Sequence, residues 1–114
     1  MKIGVVGYSF NKFDLDLAAK MMRSAFDIFV PKNAESENIE IVSGLTNIGV
    51  PRIAYQLADR RNFITVGISA EQAFQVHCGV YPVKKQIIRG INFGDESEVF
   101  IRYIDFLIRI GGGR

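Results

Sequence analysis

This sequence has little to offer for covalent cross-linking or metal chelation. Cys78 is its only cysteine and His77 its only histidine. A single cysteine excludes an intrachain disulfide. The two residues are adjacent in sequence, so their side chains diverge, and neither a thiol–imidazole couple nor a metal cluster follows from them. The chain has no tryptophan and three prolines, and its net charge is only +2. A charge that small does not by itself indicate a nucleic-acid partner. Blocks of like charge, internal repeats and low-complexity tracts are also missing. The apolar runs are too short to cross a bilayer. The opening "MKIGVVGY" meets polar Ser9, Asn11 and Lys12 too soon for a secretory leader, and it lacks a small-residue cleavage site. These absences together give the expectation of a cytoplasmic protein without a membrane partner.

What is present suits one globular domain. The 114 residues, 48% of them hydrophobic, are enough for a single core. Lys2–Gly7, "KIGVVG", is a short apolar run ending in glycine and is predicted as a buried strand. Residues 14–30 place Leu15, Ala18, Ala19, Met22, Ala25, Phe26 and Phe29 on one helical face. Asn11 or Asp14 is expected to cap that helix, and Pro31 and Asn33 to stop it. Ile39–Ser43 is a second strand. Gly49–Arg61 is a second helix, with Pro51 in the first turn, where its missing N–H costs little. Phe63–Ile68 is a third strand, 71–78 a short helix or helical turn, and Gln86–Ile91 a fourth strand. Asp95–Asp105 is predicted helical, with Asp95 and Glu98 at capping-box spacing. Phe106–Ile110 is the last strand. This alternation predicts an α/β, Rossmann-like fold: a mostly parallel sheet of about five strands with helices on both faces.

In such sheets ligands bind beyond the carboxyl ends of the strands. Glycine recurs in the loops there. Gly7-Tyr8-Ser9 follows the first strand, Gly44-Leu45-Thr46-Asn47-Ile48-Gly49 the second, and Gly111-Gly112-Gly113 the last. Gly44 is expected to permit a sharp turn, and Gly49 a close approach to a helix start. Free N–H groups and the dipole at that start favour an anion such as phosphate. Thr46 and Asn47 add side-chain hydrogen bonds. Asp95 and Glu96 are candidates for a ribose hydroxyl or Mg²⁺, although acids at a helix start also need no ligand to explain them. Neither the G-x-G-x-x-G dinucleotide fingerprint nor a Gly-Lys-Ser/Thr phosphate loop is present.

"GVVGYS", "VSGLTNIGVPRIAYQLADRRNFITVGI" and "DFLIRIGGG" occur in an order that resembles the Rossmann-like superfamily termed lysine decarboxylase-like. That superfamily includes the Lonely-guy phosphoribohydrolases and the molybdenum-cofactor carrier-like proteins. Ser9, Gly44, Gly49 and Gly111–Gly113 fall where the family has its glycine turns. The resemblance implies a nucleotide or phosphoribosyl-type ligand across the strand ends, with Gly7, Tyr8, Ser9, Gly44, Leu45, Thr46, Asn47, Gly49, Asp95, Glu96 and Gly111–Gly113 as binding positions. It also implies homo-oligomers formed by packing helices, for which Phe26, Phe29, Phe100 and Tyr103 are candidates.

The enzymes of the family carry a proline before the final glycines, where this chain has Ile110. Their catalytic arginine lies roughly where Asp95-Glu96-Ser97-Glu98 stands. Their glutamate and threonine lie beyond the glycines, whereas this sequence stops at Arg114. The hydrolase residues are therefore absent as a set, and a C-terminally truncated domain is expected. The primary expectation is a non-catalytic carrier or sensor of a bound nucleotide. The alternatives are N-glycosidic hydrolysis of a nucleotide and single-strand DNA binding like DNA-processing protein A. The low charge opposes the last.

Overall fold

The computed structural model describes residues 1–7 and 15–110. Its elements are β1 (Lys2–Gly7), α1 (Leu15–Phe29), β2 (Glu40–Ser43), α2 (Gly49–Arg60), β3 (Ile64–Ser69), β4 (Lys85–Ile88), α3 (Ser97–Tyr103) and β5 (Phe106–Ile110). The expected helical segment after β3 is a 3-10 turn, Glu71–Gln75. All strand pairs are parallel, in the order β4-β3-β2-β1-β5. The chain steps outward from β1 to β4, then returns to place β5 beside β1, with Gly7 paired to Ile110. Parallel crossovers have one hand, so a reversal in direction moves the connecting helix to the opposite face.

The side chains record that reversal. Ile3, Val5, Ile41, Ile108 and Ile110 meet Met22 and Phe26 of α1 and Val50, Ala54 and Ala58 of α2 on one face. Val42, Val66 and Ile68 meet Phe100 of α3 on the other. The fold is thus the α/β arrangement expected, a five-stranded parallel Rossmann-like sheet with helices on both sides. Asn11 and Asp14, the expected caps of α1, lie outside the described residues.

The last helix departs from expectation. It is shorter than 95–105, and Glu96 rather than Asp95 precedes it, with no side-chain cap. The Asp95 carboxylate instead turns back and accepts hydrogen bonds from the backbone N–H groups of Ile91 (3.0 Å) and Asn92 (2.9 Å). Two backbone donors at a tight loop offer this carboxylate more than one helical N–H would. At the other end of the sheet, Lys2 N–H donates to Asp105 at 2.8 Å, and Asp105 N–H donates to the Lys2 carbonyl at 2.7 Å. This pair anchors the α3–β5 link to the start of β1.

Candidate functional site

A cleft of about 520 Å³ opens at the carboxyl rim of the sheet. Its floor comes from the ends of β1 (Val5, Val6, Gly7), β2 (Ser43) and β3 (Ile68, Ser69), with Gly44, Thr46 and Pro51 beyond them. Leu107 and Arg109 of β5 form one wall, and Phe93, Glu96, Ser97, Phe100 and Ile101 the wall on the α3 side. The cleft therefore spans the β1/β5 position where strand order reverses, the usual ligand crevice of open α/β sheets. Most of its lining is hydrocarbon. Glu96 and Arg109 are the charged residues among the described lining.

The turn after β2 is held from beneath. Ser43 Oγ donates to the Val5 carbonyl at 2.7 Å, tying β2 to β1. The sharp bend lies not at Gly44, as expected, but at Leu45, whose φ is +75°. That region is uncommon for a leucine and carries strain. Tertiary contacts hold it. The Leu45 side chain is fully buried in a notch over Gly67, where a Cβ at position 67 would come within 2.1 Å of Leu45 Cδ2. Leu45 N–H donates to the Tyr55 hydroxyl (3.2 Å), and the Leu45 carbonyl accepts from Tyr81 N–H (2.7 Å). The buried Tyr55 hydroxyl in turn donates to the Val66 carbonyl at 3.0 Å. Burial raises its pKa well above the usual tyrosine range.

The Tyr81 ring stacks on Tyr55, with centroids 5.1 Å apart, and its hydroxyl donates to Asp59 at 2.6 Å. Removal from water, and then the Asp59 carboxylate, push that hydroxyl up to about 12. Thr46 bridges to Val80, and Asn47 N–H donates to the Gly79 carbonyl at 3.1 Å. The segment between β3 and β4 is thus stitched onto the turn after β2. Two features are left over. Helix α2 starts at Gly49, with φ +64° and no side-chain cap. Asn47 Oδ1 is buried with no partner among the described residues, an acceptor that a water or ligand donor would satisfy.

The expected site residues divide into three groups. Gly7, Gly44, Thr46 and Glu96 line the cleft together. Leu45 and Asp95 are committed to the fold: Leu45 is buried with both backbone groups bonded, and Asp95 closes the loop at Gly90, where a Cβ would sit 2.2 Å from Asp95 Cβ. Asn47 and Gly49 are not among the described lining residues, though their neighbours Thr46 and Pro51 are. Tyr8, Ser9, Gly111, Gly112 and Gly113 are outside the described residues. The glycines also differ in purpose. A Cβ at Gly7 would meet the Ile110 carbonyl oxygen at 2.2 Å, so packing alone requires glycine there. A Cβ at Gly44 meets nothing within 4 Å among the described residues.

Glu96 Oε1 accepts from Gly94 N–H at 2.8 Å, which fixes the carboxylate at the edge of the cleft. Sequence reasoning missed Arg109 and Leu107. They alternate with the buried Ile108 and Ile110, so the period of a strand could have assigned them to the opposite face. Among the described residues no group of three His, Cys, Asp or Glu side chains could hold a metal ion, and no helix is long and apolar enough to cross a membrane.

No family model matches this sequence, and no curated protein matches it. Among solved structures it is similar to the molybdenum cofactor carrier protein MCP from Chlamydomonas reinhardtii, with a TM-score of 0.69 and 16% sequence identity. The likeness covers 98% of this chain and 63% of that one, so this chain spans less than two thirds of the carrier's length. At that identity the likeness shows the fold.

Proposed function

We propose that this chain is a single Rossmann-like binding domain, related to the lysine decarboxylase-like superfamily, that holds a nucleotide or phosphoribosyl-type ligand in the rim cleft without transforming it. One observation carries the reading: Gly44 lines the cleft where, among the described residues, neither a positive φ nor any neighbouring atom demands glycine. A bare backbone facing open space suits the close approach of a ligand. The uncapped start of α2 and the guanidinium of Arg109 supply positive potential for an anionic group. The hydrocarbon walls suit a ring system. The shared shape with a molybdenum cofactor carrier supports a carrier role over a catalytic one.

The test is thermal unfolding with AMP, ADP, ATP, cyclic nucleotides and molybdenum cofactor in turn. A ligand at one hundred times its Kd adds about 2.7 kcal/mol of stability, a shift on the order of 10 °C for a domain of this size. Gly44→Val should abolish the shift while the circular dichroism stays that of the wild type. Gly49→Val is a poorer probe than the sequence suggests, because a valine is strained at φ +64°. No shift with any of these compounds would overturn the reading.

A hydrolytic second reading is favoured by the presence of one carboxylate, Glu96, and one cation, Arg109, in the same cleft. N-glycosidic cleavage needs both charges near the sugar. Release of free base from a nucleoside monophosphate, lost in Glu96→Gln, would establish it.

A further inference from the structure

The two charged residues lining the cleft stand on different walls. Arg109 belongs to β5, whereas Glu96 lies on the α3 side, between Phe93 and Phe100 in sequence, which line that same wall. Arg109 suits the anionic part of a ligand. Glu96 does not, because a carboxylate repels phosphate. What flanks Glu96 is aromatic hydrocarbon, the surroundings of a ring. Phe93 is 43% exposed, so its ring keeps a free surface. Phe26 and Phe100, which the sequence suggests for an oligomer contact, are core side chains, 0% and 8% exposed, and Phe100 backs this wall instead.

Glu96 is held in place. Gly94 N–H donates to its Oε1 at 2.8 Å. The loop that carries it is tied down on both sides of Gly94: Asp95 accepts from the N–H groups of Ile91 and Asn92, and Phe93 N–H donates to Gln72 Oε1 at 2.9 Å. Among the described residues no cation pairs with Glu96, since Arg102 pairs with Glu98 at 2.6 Å. Glu96 Oε2 therefore has no partner there, and Oε1 keeps a lone pair to offer. Ser97, next in the chain and on the same wall, adds a hydroxyl without a hydrogen-bond partner among the described residues.

We infer that Glu96 selects the base of the nucleotide and that the base is guanine. The inference rests on the nucleotide reading above and adds the identity of the base. A purine stacked on Phe93 turns its polar edge to Glu96 and Ser97. Guanine offers two adjacent donors on that edge, N1–H and the 2-amino group, beside the O6 acceptor. The carboxylate accepts from both donors, and the Ser97 hydroxyl donates to O6. Adenine has an acceptor at N1, so its lone pair would face the carboxylate with no proton between them. A polar group left unpaired in this way costs more than a good pair gains. Ribose hydroxyls also suit a carboxylate, but they do not suit the phenylalanines on either side of it.

Isothermal titration of the full chain with GMP, IMP and AMP tests the inference. The three share ribose and phosphate, and IMP keeps N1–H and O6 but lacks the 2-amino group. GMP should bind tightest, IMP more weakly and AMP weakest, with GMP ahead of AMP by at least about tenfold. Glu96→Gln keeps an acceptor for Gly94 N–H but turns an amide N–H towards the base. It should weaken GMP about tenfold or more, leave AMP no weaker, and so close the gap. Glu98→Gln, in the exposed pair with Arg102, should change neither. AMP bound as tightly as GMP, or a preference for GMP that survives Glu96→Gln, would overturn the inference and leave the nucleotide reading standing. Binding of none of the three would overturn both.

Discussion

The two faces of the sheet are built to different standards. On the α1/α2 face the described core gathers fourteen buried residues, from Ile3 to Ile110. On the α3 face it gathers four, Val42, Val66, Ile68 and Phe100, helped by partly buried neighbours such as Val6 and Ile104. One face is covered by helices of 15 and 12 residues, the other by a helix of 7. The short helix approaches closely where it can: a Cβ at Gly4 would meet Ile104 Cδ1 at 2.7 Å and Phe100 at 3.1 Å. Beyond its reach no described element covers the sheet face, and the cleft is that gap. The well-filled face supplies stability, and the sparsely filled one supplies a space bounded by strand ends.

Phenylalanine truncation on each face gives the sharpest contrast. Phe26→Ala, in the larger core, should cost about 4 kcal/mol in urea unfolding. Phe100→Ala should cost less, about 2–3 kcal/mol, because its site adjoins open space and loses fewer contacts. It should also change any ligand response, which Phe26→Ala should not beyond its effect on folding. Equal costs would mean the two faces are equally well packed.

Tyr55→Phe removes the hydroxyl that joins the strained Leu45 turn to β3. Leaving Leu45 N–H and the Val66 carbonyl without that partner should cost about 1–2 kcal/mol. A smaller, pH-dependent effect belongs to Tyr81. Its folded value is raised from 10.0 to about 12, so the unfolded chain gives up the proton first. Stability that is present below about pH 10 should therefore fall as the pH rises towards about 12. Tyr81→Phe should flatten that part of the profile, measured as urea midpoints from neutral to alkaline pH. The smallest effect on folding is expected for Gly44→Val, within about 0.5 kcal/mol, since the added carbons meet none of the described residues. A large loss there would mean that Gly44 is a folding residue and not a site residue.

Much of the fold could be read from the chain because its signals are local. Apolar runs such as Phe106–Ile110 coincide with strands, and the 3.6-residue spacing of Met22, Phe26 and Phe29 coincides with a helix. Errors arose where another group competed with the expected local rule. Asp95 has the spacing of a cap, yet the loop at Gly90 brings two N–H groups to it first. Gly44 looks like the hinge of its turn, yet Leu45 takes the left-handed conformation because Gly67 leaves room for its side chain and Tyr55 holds its N–H. The candidate cleft was legible to the same extent. Gly7, Gly44 and Thr46 were visible as strand-end residues and Glu96 as an acid at a helix start, while Arg109 and Leu107 were not, because an alternating strand does not say which of its faces will be left uncovered.

By itself, the sequence determined the order of strands and helices, the parallel α/β class and the end of the sheet where glycine collects. Each of these follows from the period and bulk of neighbouring residues. Tertiary structure alone decided that β5 returns beside β1, that among the described residues a seven-residue helix leaves part of one face open, and that Gly44, unlike Gly7, has no described atom near its Cβ position. Those outcomes depend on contacts between segments far apart in the chain, and periodicity carries no record of them.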